Sequence, residues 1–230
     1  IPLDSTNIVY KAADLIKKQY NIKEGVKIII EKNIPIAAGM AGGSSNAAAV
    51  LVGLNQLWQL KLSENKLKEL GLKLGADVPF CIGGQTALAE NIGEKLTKID
   101  GLSENIFILV CKPELFVSTK EIYEEIDSKI IEKRPNNKLL IQLLKENKIQ
   151  QIADNMYNVL EEVTRERYPV IEEIEKIMME NDIGIFSVPY DEIDHFKELL
   201  VEFYETDNSD KIKDFFRSKC LLLNPSYKTI

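Results

Sequence analysis

The chain has 230 residues, of which 45% are hydrophobic, and a formal net charge of −7. This size is enough for a buried core in one domain or in two small ones, and the acidic balance disfavours a protein that binds nucleic acids, which normally has a basic face. No apolar run approaches the roughly 20 residues that span a bilayer. The cysteines, Cys81, Cys111 and Cys220, are odd in number and far apart, which suits a reducing compartment and a role as small core side chains. We therefore expect a cytoplasmic protein with no nucleic-acid or membrane partner.

Three helices and one strand are predicted in the part of the chain before residue 75. Apolar residues spaced i, i+3 and i+4 indicate the helices, polar residues before them provide caps, and a β-branched run indicates the strand. In chain order, these elements are a helix at about 8–19 capped by Ser5, Thr6 or Asn7, a strand at 26–30, a helix at about 45–58 and a helix from about 63 to 74. The helix at 45–58 is expected to bury Val50, Leu51, Leu54, Leu57 and Trp58.

Two strands are predicted between residue 75 and Pro113, and beyond Pro113 the pattern becomes mostly helical. Strands are predicted at 85–90 and 106–111, and helices at 119–126, 137–146, 150–160 and 168–180. The change in pattern predicts two domains, 1–112 and 113–230, of which the second is mainly helical.

Residues 35–46 form a loop of small side chains with the sequence Pro-Ile-Ala-Ala-Gly-Met-Ala-Gly-Gly-Ser-Ser-Asn. The loop follows the predicted strand and runs directly into a helix, so it offers unpaired backbone N–H groups at the positive end of the helix dipole. Its glycines alone leave a structural turn and a phosphate site equally open, but the hydroxyls of Ser44 and Ser45 favour the phosphate site. The loop lacks the lysine of a P-loop and does not fit the dinucleotide pattern GxGxxG.

Asp77 and the single histidine, His195, are titratable residues that could take part in catalysis. Asp77 lies among small and apolar residues, where composition favours a helix cap over a carboxylate that accepts a proton from a substrate hydroxyl. His195 is expected on an exposed helix. With one histidine and scattered cysteines, a His/Cys metal site or a Ser-His-Asp hydrolase is hard to assemble, so phosphate chemistry is the better interpretation.

Two motifs make the chain similar to the GHMP small-molecule kinases: the loop at 35–46, and the segment Leu-Gly-Ala-Asp-Val-Pro-Phe at 74–80, which resembles the catalytic aspartate motif of one group of these enzymes. The resemblance covers about residues 1–180. It implies an α+β, two-lobed fold with an N-terminal half like domain 2 of ribosomal protein S5 and a ferredoxin-like C-terminal half. It also implies a monomer or homodimer that transfers the γ-phosphoryl group of ATP, with Mg²⁺, to the 2-hydroxyl of a cytidylyl-methylerythritol in non-mevalonate isoprenoid biosynthesis.

The resemblance assigns roles to individual residues. Asp77 matches the general base, and Thr119 matches a position near the small-molecule substrate. The positions that match nucleotide-binding residues are Asn7, Lys32, Gly39, Ala41, Gly42, Gly43, Ser44, Ser45 and Asn46. Ser45 is the candidate magnesium ligand, and no carboxylate ligand is identified.

Two features of the family have no match in this sequence: an opening strand whose lysine pairs with the catalytic aspartate, and a Gly-Ser-Gly-Pro motif near the C-terminus. The stretch after about residue 180 also diverges. We therefore expect a missing N-terminal segment, an incomplete fold, and little or no kinase activity. Three alternatives stay open: a non-catalytic nucleotide-binding remnant, a binding module in which the loop is purely structural, and another GHMP kinase that acts on mevalonate, homoserine or galactose.

Overall fold

The computed structural model describes residues 1–32, 34, 39–102, 106–111, 113, 115, 117–180, 186–187 and 220–223. Its contacts divide the chain into two compact units, one formed by Ile1–Asp100 and one that begins at Gly101.

Four helices form the core of the first unit. They are α1 (Ile8–Tyr20), α2 (Gly42–Leu57), α3 (Glu64–Leu72) and α4 (Val78–Gly83), and they are followed by an antiparallel pair of strands, β1 (Ala87–Glu90) and β2 (Lys95–Lys98). The largest fully buried side chain of each helix belongs to a single apolar cluster: Ile16, Leu51, Leu70 and Val78. Burial of such a side chain is worth about 1.5–3 kcal/mol, so this cluster fixes α2 and α4 against each other.

Polar caps set the beginnings of two of these helices, as the sequence predicts. The side chain of Asn7 accepts a hydrogen bond from the Val9 N–H at the start of α1, and the side chain of Ser63 accepts one from the Lys66 N–H at the start of α3. These bonds satisfy N–H groups that have no partner within the helix.

The predicted strand at 26–30 is wrong. Residues 22–32 have no regular secondary structure, and no strand in the described part of the chain pairs with them, although a strand requires a partner for its backbone groups. The side chain of Ile29 is 79% exposed. A β-branched run indicates a local preference for an extended backbone. A strand forms only if a neighbouring strand pairs with that backbone, and no described strand does so here.

The predicted burial of Leu57 is also wrong, because its side chain is 62% exposed. Leu51 and Leu54 are buried as predicted, and Val50 and Trp58 are half-buried. Leu57 follows Leu51 by six residues and is therefore rotated by about 120° around the helix away from it, beyond the apolar stripe.

The described residues of the second unit form five helices and a three-stranded sheet. The helices are α5 (Thr119–Ile126), α6 (Asn137–Lys145), α7 (Ile149–Asn155), α8 (Val159–Arg167) and α9 (Pro169–Glu180). The strand β3 (Ile106–Cys111) lies between β4 (Phe186–Ser187) and β5 (Cys220–Leu223), and both pairings are antiparallel. Ile122 and Ile126 of α5 form a buried cluster with Val163 of α8.

The single helix predicted at 150–160 is two helices in the structure. The chain leaves helical geometry at Met156, where ψ is 141°, and Asn158 then starts α8 by accepting a hydrogen bond from the Leu160 N–H. An asparagine side chain competes for backbone N–H groups in this way, which favours a new helix start over continuation.

The mixture of helices and antiparallel strands confirms the predicted α+β class. Cys81 and Cys111 are half-buried, which agrees in part with the prediction of core cysteines, while the side chain of Cys220 lies outside the described residues. None of the described helices combines the length and the apolar character needed to cross a bilayer.

Candidate functional site

The first turn of α2 carries the described part of the small-residue loop, while residues 35–38 lie outside the described residues. Gly39 has φ +68°, and Ala41, the residue before the helix, has φ +48° and offers no side-chain cap. The first helical bond joins the Ser45 N–H to the Ala41 carbonyl at 2.8 Å. The N–H groups of Gly42, Gly43 and Ser44 precede it and have no acceptor among the described residues, so the positive end of a 16-residue helix is left open.

Lys32 lies against this first turn. A Cβ atom added to Gly42 would lie 2.6 Å from Lys32 Nζ and 2.9 Å from Ile34 Cγ2, so only glycine permits this approach. Lys32 Nζ is buried and has no hydrogen-bond partner in the described part of the protein, and burial lowers the pKa of its ammonium group. An unpaired buried charge is costly. An anion at the start of α2 would satisfy Lys32 and the open N–H groups together.

Asp77 occupies the residue before α4 but does not cap that helix. Its backbone is helical, with φ −82° and ψ −13°, whereas a side chain that caps a helix requires an extended backbone. The carboxylate is exposed, and it makes no hydrogen bond or ion pair with any residue that the structure describes. The cap that composition favours is therefore not formed, and both carboxylate oxygens are available to a ligand.

Cys81 connects these two parts of the site. Its sulfur lies 3.6 Å from Ser45 Oγ in the first turn of α2, and its N–H donates to the Asp77 carbonyl at 3.1 Å one turn earlier in α4. Burial raises the pKa of the Cys81 thiol, the hydrogen bond with Ser45 opposes this, and the negative charge of Asp77 raises the pKa further. The structure thus brings the predicted base and the predicted phosphate loop to the same place. The sequence interpretation treated Cys81 as a core residue, and its position one turn after Asp77 is the signal that was available.

The other predicted site residues, Asn7, Asn46 and Thr119, lie on three different helices or at their starts. Both polar atoms of the Asn7 side chain are hydrogen-bonded within the protein, since Oδ1 accepts from the Val9 N–H at 3.0 Å and Nδ2 donates to the Pro2 carbonyl at 2.7 Å. It lines a cavity of about 500 Å³ formed with α1 and residues 25–30. Asn46 follows Ser45 within α2 and is half-buried. Thr119 is the first residue of α5 in the second unit, and its proximity to the substrate stays a prediction.

The oxygen donors at the site fit a magnesium ion that arrives with a phosphate ligand. No group of three or more histidine, cysteine or carboxylate side chains that could hold a metal occurs in the described ranges. Mg²⁺ bound with phosphates needs only one or two protein oxygens. The Ser45 hydroxyl and the free Asp77 carboxylate are the donors that the two helices bring to the site.

Comparison with known proteins places both parts of this site in one domain family. The profile described as GHMP kinases N terminal domain matches residues 7–85, a span that contains the first turn of α2 and Asp77. A 4-diphosphocytidyl-2-C-methyl-D-erythritol kinase from Clostridioides difficile is 54% identical over 227 residues, which cover 92% of this chain and 77% of the relative. A protein of the same name from Caldicellulosiruptor saccharolyticus is 45% identical over 235 residues, which cover 95% of this chain and 80% of the relative. Both alignments include more of the chain than residues 1–180, so the similarity continues past the point where the sequence pattern diverges.

Two solved structures are similar in fold. A crystal structure of 4-(cytidine 5'-diphospho)-2C-methyl-D-erythritol kinase has a TM-score of 0.67 and 30% identity, covering 79% of this chain and 65% of that one. A homoserine kinase from Cytophaga hutchinsonii has a TM-score of 0.69 at 15% identity, covering 97% of this chain and 77% of that one, and this likeness concerns the fold alone. The GHMP kinase-like fold expected from the sequence is confirmed.

Proposed function

Since the chain belongs to the 4-diphosphocytidyl-2-C-methyl-D-erythritol kinase family of GHMP kinases, we propose that it transfers the γ-phosphoryl group of ATP to the 2-hydroxyl of 4-diphosphocytidyl-2-C-methyl-D-erythritol. This proposal replaces the sequence-based expectation of little or no activity, because the similarity to the relatives extends into the stretch after residue 180 that the expectation treated as divergent. The reaction belongs to the synthesis of isoprenoid precursors by the non-mevalonate route. The observation that carries the proposal is the ammonium of Lys32, which is buried beside the N-terminus of α2 and has no hydrogen-bond partner among the residues that the structure describes.

The phosphates of ATP are the anion that this arrangement fits. The N–H groups of Gly42, Gly43 and Ser44 point in the direction of the helix axis and donate to phosphate oxygens without any rearrangement of the helix. Lys32 adds a positive charge from a site with little water, where its interaction with a phosphate is stronger than on an exposed surface. The roles of Gly39, Ala41 and Ser45 in this loop and of Asn7 and Asn46 near the nucleotide belong to the same proposal.

Asp77 is the proposed general base. Its free carboxylate accepts the proton of the substrate 2-hydroxyl as the hydroxyl oxygen forms a bond to the γ-phosphorus, and the bond between that phosphorus and the β,γ-bridging oxygen breaks to release ADP. Thr119 is proposed to contact the substrate. Mg²⁺, with Ser45 as a proposed ligand, would neutralise phosphate charge when bound. A cytoplasmic location and a monomeric or homodimeric state complete the proposal.

The test separates binding from turnover. ATP affinity is measured by calorimetry, and ADP release with the cytidylyl substrate by a coupled assay, for the unaltered chain, Asp77→Asn and the control Asp154→Asn, which changes an exposed aspartate on α7. We expect all three to bind ATP with similar affinity and only Asp77→Asn to lose turnover, by about 10²- to 10⁴-fold.

Other results select among the alternatives. Binding of ATP without turnover of any acceptor by the unaltered chain would support the non-catalytic nucleotide-binding protein that the sequence leaves open. Turnover of mevalonate, homoserine or galactose in place of the cytidylyl substrate would support another GHMP kinase. An absence of ATP binding would leave the loop as a structural turn and contradict the proposal.

A further inference from the structure

We propose that Cys81 is a positioning residue of the kinase site: its thiol holds the Ser45 hydroxyl in the orientation that meets the ATP phosphates, and so ties the first turn of α2 to the helix that carries Asp77. The inference rests on the proposed function and deepens it. Its basis is the 3.6 Å contact between Cys81 Sγ and Ser45 Oγ, in which either atom can be the donor.

The Ser45 hydroxyl has a competing partner within its own helix. A serine in a helix commonly turns its hydroxyl back to the carbonyl four residues earlier, which for Ser45 is the Ala41 carbonyl that already accepts its N–H. The contact with Cys81 directs the oxygen toward α4 instead. A hydroxyl has one proton and two lone pairs, so whichever atom donates in this contact, Ser45 keeps bonding capacity for a phosphate oxygen or a cation.

The location of Cys81 makes it a rigid support. The side chain packs against the apolar cluster of α1 to α4, next to the buried Val78. Its backbone N–H is bound to the Asp77 carbonyl one turn earlier. A displacement of Ser45 relative to α4 therefore breaks the contact. The contact thus holds the phosphate loop at a fixed distance from the helix that follows the proposed base.

A double-mutant cycle tests the inference. ATP and substrate KM values, kcat and the ATP dissociation constant are measured for the unaltered chain, Cys81→Ala, Ser45→Ala and the double variant. Since one neutral hydrogen bond is involved, we expect Cys81→Ala to weaken ATP binding about 3- to 10-fold, to leave the KM for the cytidylyl substrate unchanged, and to have no further effect when Ser45 is already alanine. The same loss of ATP affinity in both backgrounds would mean that Cys81 acts by packing alone and would overturn the inference.

Two further variants guard against a purely structural effect. Cys81→Val fills the space of the thiol without a hydrogen-bonding atom and is expected to weaken ATP binding as Cys81→Ala does, so unchanged affinity in this variant contradicts the inference even if Cys81→Ala fails to fold. Ile82→Val is the matched control, because it removes a methyl group from a neighbouring side chain that packs on the same cluster. It is expected to lower the melting temperature and to leave ATP affinity unchanged. If the unaltered chain binds no ATP, both the proposed function and this inference are wrong. If it binds ATP normally, but Cys81→Ala and Ser45→Ala weaken ATP binding independently of each other, only this inference is wrong.

Discussion

The Lys32 ammonium is the one buried side-chain nitrogen or oxygen without a hydrogen-bond partner in the described part of the chain. Gly42 and the aliphatic Ile34 are its neighbours among the described residues of this segment, and neither carries a charge. Removing a charged ammonium group from water without a hydrogen bond or ion pair in its place destabilises the folded state. A destabilising group of this kind is typical of a site that is completed by a ligand.

We predict that Lys32→Met stabilises the unliganded chain and weakens ATP binding by roughly 10- to 100-fold, the loss expected for one charged hydrogen bond. The methionine keeps most of the side-chain volume and removes the buried charge. Chemical denaturation gives the stability and calorimetry gives the affinity. Lys27→Met, in an exposed residue of the same segment, is the control and should change neither quantity appreciably. A destabilised Lys32→Met variant with normal ATP affinity would contradict this role for Lys32.

The stability gain of Lys32→Met should depend on pH. The pKa of Lys32 in the folded chain lies below its ordinary value of 10.5 because of burial, so between the two values the unfolded chain binds more protons than the folded chain. The cost of Lys32 is therefore fully present below its lowered pKa and disappears as pH rises toward 10.5. The difference in unfolding free energy between the variant and the unaltered chain should shrink over this range, and a difference that grows with pH would be inconsistent with the burial of a charged amine.

The sequence predicts which residues carry the chemistry of the site better than it predicts the contacts that those residues make. The loop glycines and Asp77 stand out in the sequence, and Gly42 in the structure has the close backbone approach that such glycines provide. The capping role favoured for Asp77 fails because ψ at that residue is helical, which sequence does not specify. The contact of Cys81 with Ser45 joins residues 36 positions apart, and no local pattern reveals it.

The N-terminus of α2 is the element on which the proposed nucleotide site depends. Its 16 residues align their peptide dipoles toward Gly42, and the small residues of the first turn expose the N–H groups. A side chain at Gly42 would meet Lys32 Nζ and Ile34 Cγ2, so any other residue at this position shifts these two side chains away from the first turn.

We predict opposite outcomes for two glycine substitutions in this helix. Gly42→Ala displaces Lys32 and Ile34 and should weaken ATP binding about tenfold, equivalent to about 1.4 kcal/mol. Gly53→Ala, where an added Cβ has no atom within 4 Å, should stabilise the chain by about 1 kcal/mol through helix propensity and leave ATP affinity unchanged. The comparison needs only thermal unfolding and an ATP titration. Equal ATP affinity in both variants would show that the first turn does not contact the phosphates.

Elements with local start signals are predicted well from the sequence, and elements that need distant partners are not. The caps Asn7 and Ser63 locate α1 and α3 closely. The strand at 26–30 is wrong because no described strand pairs with it, and β2 is missed because Lys95–Lys98 has little apolar character and exists by pairing with β1. The six-residue helix α4 is too short for a periodic signal, although Pro79 near its start and Gly84 at its end are the expected boundary residues.

At the scale of the whole molecule, the net charge of −7 opposes the approach of a nucleotide triphosphate. Binding therefore requires a local positive potential, which Lys32 and the open end of α2 supply. The family and the α+β class follow from the sequence because the two motifs keep their order and spacing. The domain boundary at 112/113 and the role of Thr119 remain proposals.

Phosphorus NMR of the purified chain incubated with ATP, Mg²⁺ and 4-diphosphocytidyl-2-C-methyl-D-erythritol detects the proposed phosphoryl transfer itself. We predict a new phosphate monoester resonance coupled to the carbon bearing the 2-hydroxyl, formed in equal amount to ADP and absent with Asp77→Asn. ATP binding that leaves the substrate unphosphorylated, or a monoester that forms at the same rate with Asp77→Asn, would contradict this prediction.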